Sequence, residues 1–385
     1  MERAYWLAWS QIKDVGPILI KRLHEYFGSL DLAWQADAAS LLSVDGIGLV
    51  TADQIVRLRS RLKPQQLLEQ HEAQYPQFWT PADPDYPRLL WEIPDPPPVL
   101  YYRGPWRPNQ APSAMTVGIV GTRRPSPYGR RWTQRLSRCL SQRQVVVVSG
   151  LAAGIDAYAH QSCLDSDGQT IAVLGTGVDV IYPRNNDQLY QRIEETGLIV
   201  SEYPDGTPPD RGHFPRRNRI IAGLSDAILV TEAPERSGAL ITAYLANDYG
   251  RHVYALPAGL DNPTARGCLN LINTGAAMVM GETHFVTDLI NTIGATVSHH
   301  ERAPDASSAT PDVEETAQKQ EVAAIEVELE APLKQLLAQV PDVPTSLDKL
   351  VEATQQDTSV LLSGLLQLEL AGVVTQLPGG QYQRT

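Results

Sequence analysis

The chain has 385 residues, of which 43% are hydrophobic and 20% are charged, and it contains three cysteines. This length is too great for one ordinary hydrophobic core and predicts two or three domains. The cysteines are far apart and odd in number, which excludes a disulfide framework and a cysteine-rich zinc site. No apolar run approaches the roughly 20 residues of a membrane span, and the first residues lack a signal-peptide pattern, so we expect a cytoplasmic protein.

The net charge of −12 is distributed unevenly along the chain. Residues 1–100 carry −4 and residues 301–385 carry −9, whereas residues 101–300 carry +1 and all 18 of their cations are arginines. Two explanations for the absence of lysine from this middle region remain open. One is a codon preference of the genome, and the other is phosphate recognition, for which a forked guanidinium group is well suited.

Residues 1–75 predict a domain of short helices. In residues 41–56 one helix ends in the turn Gly46-Ile47-Gly48 and another begins, and Val15-Gly16-Pro17 looks like a degenerate earlier copy of this turn. The pattern is similar to tandem helix-hairpin-helix units, or a SAM-like domain. Such a turn can offer backbone N–H groups to a DNA phosphate. Packing or protein contact is the alternative use, and the acidic character of the segment favours it.

A proline-rich connector is predicted for residues 76–115, laid over a surface in extended form. Between residues 116 and 291, six apolar β-rich runs alternate with helical patterns: 117–120, 145–148, 171–174, 198–200, 227–230 and 253–256. Continuous apolar runs are typical of strands that are covered on both faces. The region therefore predicts an α/β fold, an extended Rossmann-like doubly wound parallel sheet.

Residues 292–331 turn polar and acidic, which predicts a flexible linker. Residues 332–385 then show helical patterns at 333–340, 346–354 and 358–370 and a hairpin signal around Pro378-Gly379-Gly380. Three helices followed by a hairpin predict a winged helix. Its third helix contains no Lys or Arg, whereas a DNA-reading helix needs donors for base edges and phosphates. We therefore favour protein contact for this domain.

Ligands of doubly wound sheets bind where the strands end, and the first of three candidate loops follows the run 117–120. It supplies a close backbone approach, two positive charges and a helix cap through Gly121, Thr122, Arg123, Arg124 and Ser126. Residues 103–155 hold nine arginines and no acid. Three of those arginines, Arg131, Arg135 and Arg138, form one helical stripe, which in the simpler interpretation is a solvated face.

The second candidate loop begins with Ser149 and Gly150, after the valine-rich run. Small residues that lead into a helix N-terminus make an anion seat from backbone N–H groups. Asp156 and His160 are spaced i, i+4, as a pair of metal ligands can be. Because no third ligand is evident, we expect a structural hydrogen bond there and no metal.

The third loop, residues 211–219, holds four arginines and no acid, and it leads directly into the apolar pair Ile220-Ile221. Cations held by a rigid core suit a preformed phosphate site. The candidate contacts are Arg211, Phe214, Arg216, Arg217, Asn218 and Arg219. Phe214 is either a platform on which a base stacks or a core residue. We expect Arg123 and the 211–219 cluster to converge at one mouth of the sheet.

The stretch from Glu232 to Ala243 follows the next strand and contains the candidate residues Ser237 and Gly238. Its position is where nucleotide-binding relatives keep a glycine-rich phosphate loop and a catalytic Glu. An alternative function is therefore a nucleotide or nucleotide-sugar hydrolase of the phosphoribohydrolase type that uses Glu232. The Pro-Gly-Gly-x-Gly-Thr loop of such enzymes is replaced here by Ala-Pro-Glu-Arg-Ser-Gly, and no Walker motif is present. We expect no enzyme and no cofactor.

Many short strings between residues 82 and 290 together resemble one known family. They are Gly121-Thr122-Arg123, Tyr128-Gly129, Ser149-Gly150-Leu151-Ala152, Gly154-Ile155-Asp156, Ala159-His160, Thr170 to Leu174, Tyr182-Pro183, Ser201-Glu202, Phe214-Pro215 to Leu224-Ser225, Glu232-Ala233, Ser237-Gly238 and Gly267-Cys268. The chain is similar to the DprA/Smf family, the DNA-processing proteins of natural transformation. The helical N-terminus and the winged C-terminus match the architecture of that family through weaker motifs.

The resemblance implies a homodimer, formed through the α/β domain, that binds single-stranded DNA without catalysis. It also implies protection of incoming DNA and loading of a RecA-type recombinase past single-strand-binding protein. The DNA-contacting positions of the family correspond to Arg123, Arg211, Phe214 and Arg217-Asn218-Arg219. Arg124 and Arg216 are additional arginines in this sequence, and we expect them to add contacts.

Overall fold

The computed structural model describes residues 2–110, 115–300, 331–341, 345–354, 361–362, 364–365, 367–368, 373–377 and 381–384. The chain divides into two compact units, Met1–Arg302 and Ala303–Thr385. In the part of the chain described, no helix combines the length and the apolar character needed to span a membrane.

The first unit begins with six helices. They are α1 (Glu2–Ser10), α2 (Pro17–Phe27), α3 (Leu30–Gln35), α4 (Ala38–Leu41), α5 (Leu49–Arg59) and α6 (Pro64–Gln74). The glycines that precede α2 and α5 have nearly the same backbone angles, φ −88° and ψ 178° at Gly16 and φ −92° and ψ 175° at Gly48. Asp14 and Gly46, two residues earlier, both have positive φ. The two turns therefore share one backbone geometry, which is compatible with the predicted repeat, while the helix-hairpin-helix assignment and its use in DNA binding stay predictions.

A nine-stranded sheet forms the centre of the first unit among the residues described. Its strands are β1 (Phe78–Trp79), β2 (Leu100–Arg103), β3 (Thr116–Gly121), β4 (Val146–Ser149), β5 (Thr170–Val173), β6 (Leu198–Ser201), β7 (Ala227–Glu232), β8 (His252–Ala255) and β9 (Ala277–Met278). Their order is β1-β2-β6-β5-β4-β3-β7-β8-β9, with parallel pairing from β6 to β9. All six predicted apolar runs form strands, so the predicted α/β fold is confirmed.

Helices cover both faces of this sheet. They are α7 (Arg88–Glu92), α8 (Pro127–Gln142), α9 (Ile155–Leu164), α10 (Asp187–Thr196), α11 (His213–Gly223), α12 (Gly238–Asp248), α13 (Arg266–Asn273) and α14 (Glu282–His300). Alternate residues of one strand enter different clusters: Val146 and Val148 pack with α11 and α12, whereas Val147 packs with α8 and α9. The valine-rich runs are continuous because both faces of each strand are buried.

Two predicted segments differ from the structure. The proline-rich connector is not extended throughout, because it contains the helix α7, and two of its extended parts are the strands β1 and β2 of the sheet. Residues Arg88–Glu92 carry no proline, which leaves them free to form a helical turn. β2 pairs antiparallel with β6 and adds an edge to the sheet. At the other end, α14 continues to His300, past residue 292 where we predict the acidic linker to begin.

The second unit contains helices at Ala331–Leu337 and Leu347–Thr354 and the strands β10 (Thr345–Ser346), β11 (Val374–Leu377) and β12 (Gln381–Arg384). β12 pairs antiparallel with both β10 and β11. The described parts of the predicted third helix, 361–362, 364–365 and 367–368, are helical, and Leu361, Leu365 and Leu368 are buried. The predicted turn 378–380 and most of the predicted linker lie outside the described residues.

Candidate functional site

The loops that follow β3, β4, β5, β6 and β7 meet at the carboxyl edge of the sheet, because these five strands are parallel. Backbone hydrogen bonds join three of them. Thr122 donates its N–H to the Glu232 carbonyl at 2.7 Å, and Ile155 donates its N–H to the Thr122 carbonyl at 3.2 Å. The loop that carries Arg123 is therefore fixed between the ends of β4 and β7.

Arg123 and Phe214 come together at this edge. The guanidinium carbon of Arg123 lies 5.4 Å from the centroid of the Phe214 ring, a cation–π contact. The Tyr182 ring lies 5.4 Å from the same Phe214 ring at an interplanar angle of 30°. A Cβ atom at Gly175 would be 2.9 Å from Cδ1 of Phe214, so the absence of a side chain there makes room for the ring. Of the 211–219 cluster that we expect to converge with Arg123, Phe214 thus lies against it.

Two further exposed cations are close to this contact in the chain, Arg124 next to Arg123 and Arg211 three residues before Phe214. Arg123, Arg124 and Arg211 are all exposed, and Phe214 is half-buried. The hydroxyl of Thr122 accepts a hydrogen bond from the Arg124 N–H at 3.2 Å, which fixes the start of the loop. We refer to Arg123, Arg124, Tyr182, Arg211 and Phe214 as the arginine-aromatic edge. It combines guanidinium groups with ring faces, the chemistry that binds the backbone and bases of a single nucleic-acid strand.

Arg217 is buried, with 4% of its surface exposed, which corrects its prediction as a DNA contact. Its Nη1 donates to the carbonyl oxygens of Gly150, at 2.7 Å, and of Val173. Burial lowers the pKa of this guanidinium to about 10, an effect that the Asp156 carboxylate opposes and the Arg123 charge strengthens. Arg217 therefore joins the ends of β4 and β5 through these two carbonyls.

Arg219 and Arg216 point away from the arginine-aromatic edge, toward acids of other elements. Arg219 is also buried, and it pairs with Glu202 at 2.6 Å and with Asp95 at 3.2 Å. The exposed Arg216 lies 3.6 Å from the same Glu202 carboxylate. α11 separates these two side chains from Phe214 because successive helical residues point in different directions. We predict that both arginines contact DNA together with Phe214. Arg219 is buried and paired with acids, so this prediction is wrong for Arg219. Arg216 is exposed but lies on a different face of α11 from Phe214.

The loop after β4 is packed tightly, which corrects its prediction as an open anion seat. Ser149 is fully buried and donates its hydroxyl to the Ile119 carbonyl at 2.6 Å. A Cβ atom at Gly150 would lie 2.5 Å from Nη2 of Arg217. The Gly150 and Ala152 N–H groups donate to Asp156 Oδ2 at 3.2 and 3.4 Å. Two of the backbone donors that would bind an anion are thus used by the protein's own carboxylate.

Glu232 is 1% exposed and anchors two loops. Its Oε2 accepts a hydrogen bond from the Ser126 N–H at 2.7 Å, and its Oε1 accepts from the hydroxyl of Thr264. Ser126 also caps α8 as predicted, since its hydroxyl accepts from the Gly129 N–H at 3.1 Å. Both carboxylate oxygens of Glu232 are bonded to protein groups, which supports an anchoring role and gives the hydrolase alternative no free carboxylate.

The remaining predicted residues lie at the start of α12. Ser237 caps this helix by accepting a hydrogen bond from the Ala239 N–H at 3.3 Å. The side-chain amide of Asn218 donates to the Gly238 carbonyl at 3.2 Å, so Asn218 joins α11 to α12. Gly238 is exposed. The hydroxyl of Ser237 and the amide of Asn218 are thus used within the protein.

Asp156 and His160 bond to different partners within the protein. The Nδ1 atom of His160 lies 2.7 Å from the Thr170 hydroxyl, and the imidazole is fully buried. Burial, strengthened by the Arg217 charge, lowers the pKa of His160 to about 3. Among the residues described, no group of three or more potential metal ligands is present. The expected structural hydrogen bond is therefore found, with Thr170 as its partner.

The sequence analysis did not predict that Tyr182 lies against Phe214. Tyr182-Pro183 was noted there only as one of the motifs shared with the DprA/Smf family. The ring follows the end of β5 by nine residues and is 40% exposed beside Phe214. The available signal was an aromatic residue after the glycines Gly175 and Gly177, at the carboxyl end of a predicted strand.

Comparison with known proteins gives consistent matches. The family of DNA recombination-mediator protein A matches residues 77–290, and the DprA winged helix domain matches residues 319–380, which confirms the predicted winged helix. Protein Smf of Synechocystis sp. is 48% identical, and the alignment covers 100% of this chain and 99% of that protein. The X-ray structure of DNA processing protein A from Streptococcus pneumoniae has a TM-score of 0.63 at 32% identity, with 74% of this chain and 97% of that chain covered.

A second solved structure concerns the single-stranded DNA binding mode of DNA processing protein A from Helicobacter pylori. It has a TM-score of 0.51 at 33% identity and covers 56% of this chain and 97% of that chain.

Proposed function

The chain belongs to the DNA recombination-mediator protein A family, the DprA/Smf proteins, and from this premise we propose that it binds single-stranded DNA at the arginine-aromatic edge. The binding is through phosphates and ring stacking and reads no sequence. A relative from Helicobacter pylori has a described single-stranded DNA binding mode, which supports this choice of ligand.

The contact between Arg123 and Phe214 is the observation that carries the proposal. A guanidinium held over a ring keeps its N–H edges available to a phosphate, while the neighbouring Tyr182 and Phe214 rings offer apolar surface to bases. With Glu232 fully engaged in hydrogen bonds, we propose binding without catalysis.

We further propose the cellular role that the family resemblance implies. The protein protects incoming DNA and loads a RecA-type recombinase onto it, past single-strand-binding protein, during natural transformation or homologous recombination. It acts as a homodimer through the α/β domain. Two edges on one strand would raise the apparent affinity, since the second contact forms at a high effective concentration.

A titration of the full-length chain with single-stranded and duplex DNA at two salt concentrations tests this function. We expect tighter binding to the single strand and a steep loss of affinity with salt, because released counterions drive phosphate binding. Equal binding to both forms of DNA, or binding that salt does not change, would contradict the proposal.

Arg123→Ala should weaken binding to every single strand and lower the slope of log affinity against log salt by about one, as the loss of one phosphate contact predicts. Arg143→Ala is the matched control, since Arg143 is also exposed but lies about 24 Å along α8 from its first residue. Wild-type affinity of the Arg123→Ala protein would refute the assignment of the site.

A further inference from the structure

Two arginines at the start of α8 lie beside the arginine-aromatic edge and have no part in the function proposed above. α8 begins at Pro127, directly after the Arg123 loop, and α9 begins at Ile155, whose N–H is bonded to the Thr122 carbonyl. Ser137 of α8 donates its hydroxyl to the Ala159 carbonyl of α9 at 2.7 Å, which holds the two helices side by side. The first turns of both helices therefore continue the edge that carries Arg123.

Arg130 in the first turn of α8 repeats the arrangement of Arg123 and Phe214. Its guanidinium carbon lies 4.9 Å from the centroid of the Tyr158 ring, which stands in the first turn of α9. The next residue, Arg131, lies 5.9 Å from the Tyr128 ring. Stacking on a ring orders a guanidinium and leaves its forked N–H edge free, so less entropy is lost when that edge binds a phosphate. A second arginine stacked on an aromatic ring thus lies within one helical turn of the Arg123 loop.

The charge around Arg130 is not neutralised by the protein. Residues 103–155 contain no acid, and Asp156, the first acid that follows, is buried and bonded to backbone N–H groups. In the described ranges no carboxylate oxygen lies within 4.0 Å of the Arg130 or Arg131 guanidinium. Arg135, one turn later, pairs with Glu282 at 2.5 Å. Arg130 and Arg131 therefore carry uncompensated charge at the end of α8 that borders the edge.

We propose that the Arg130–Tyr158 pair is a second phosphate site, and that a single strand too long for the arginine-aromatic edge continues over the first turns of α8 and α9. Arg130 holds the phosphodiester through its N–H edge, Tyr158 orders the guanidinium from below, and Arg131 adds charge beside it. The proposal rests on the proposed function, because it extends the path of the same strand beyond Arg123.

Fluorescence anisotropy with two labelled oligothymidylates, of about 5 and about 15 nucleotides, tests this path in the full-length chain. Arg130→Ala should weaken binding of the long oligonucleotide about fivefold and lower its salt slope by about one, and it should leave the short one unchanged. Tyr158→Ala should weaken long-strand binding less, and Tyr158→Phe should restore it because the ring remains. Arg143→Ala is again the matched control.

Each outcome decides between the two proposals. Unchanged binding of the long oligonucleotide by the Arg130→Ala protein would overturn the second site, and so would an equal loss for both lengths, since the variant would then act on the edge itself. Arg123→Ala should weaken both lengths. If it weakens neither, the proposed function fails, whatever the result at Arg130.

Discussion

Replacing Arg217 by alanine tests whether this arginine stabilises the fold or contacts DNA. Arg217 is 4% exposed, donates to the Gly150 and Val173 carbonyls, and with Arg123 provides positive charge that stabilises the buried Asp156 carboxylate. Its removal leaves this carboxylate with less opposing charge and two strand-end carbonyls without this donor. We therefore expect Arg217→Ala to weaken DNA binding by loosening the fold at the ends of β4 and β5.

The magnitude follows from these contacts. Leaving a buried hydrogen-bond acceptor without its donor costs about 1–3 kcal/mol, a large share of the roughly 5–15 kcal/mol by which a domain is stable, and the lost attraction to Asp156 adds to this cost. Burial already raises the pKa of Asp156, so protonation of this carboxyl relieves part of the cost. By contrast, Arg123 is exposed, and its replacement should change the free energy of unfolding by no more than about 0.5 kcal/mol.

Urea unfolding followed by far-ultraviolet circular dichroism measures the difference. Arg217→Ala should lower the midpoint strongly, whereas Arg123→Ala should keep the wild-type midpoint and lose affinity for single-stranded DNA. In a double-mutant cycle, Arg217→Met with Asp156→Asn should regain stability relative to Arg217→Met alone, because no unpaired charge then remains buried. A wild-type midpoint combined with weak DNA binding by Arg217→Ala would refute this reasoning, since Arg217 would then contact the DNA directly.

The sequence predicts the central sheet well because its strands carry a strong local signal. Runs such as 145–148 and 227–230 are apolar without interruption, and such runs are covered on both faces in a parallel sheet. The strand β2 has no such signal, since it follows a proline-rich stretch and pairs with β1 and with β6, the latter almost 100 residues later. Pairing over such a distance cannot be inferred from local composition.

The candidate site is predicted in its location but only partly in its residues. Arg123 and Phe214 meet, yet Arg217 and Arg219 turn inward from the same run of arginines. The helical period gives part of the explanation: Arg217 lies four residues before buried Ile221 and therefore on the core stripe of α11. The partners of Arg219, Asp95 and Glu202, come from distant segments, so no local pattern reveals that its charge is neutralised.

Two further predictions concern the packing beneath the edge. Because the pKa of His160 falls from 6.5 in the unfolded chain to about 3 in the fold, this residue should cost about 1.4 kcal/mol of stability per pH unit as the pH drops below 6.5. In urea unfolding, the difference in stability between pH 7 and pH 5 should be smaller for the His160→Leu protein than for the wild type. An equal difference would show that another group takes up the proton that destabilises the fold. Gly154 has φ 86°, and a Cβ atom there would lie 2.5 Å from the Thr122 carbonyl oxygen and 2.7 Å from that of Arg123. Gly154→Ala should therefore cost about 1–3 kcal/mol in backbone strain and displace the Arg123 loop. Both the unfolding midpoint and the affinity for single-stranded DNA should fall. Arg123 itself is intact in this variant. A lower midpoint with wild-type affinity would therefore show that the position of the Arg123 loop does not determine binding.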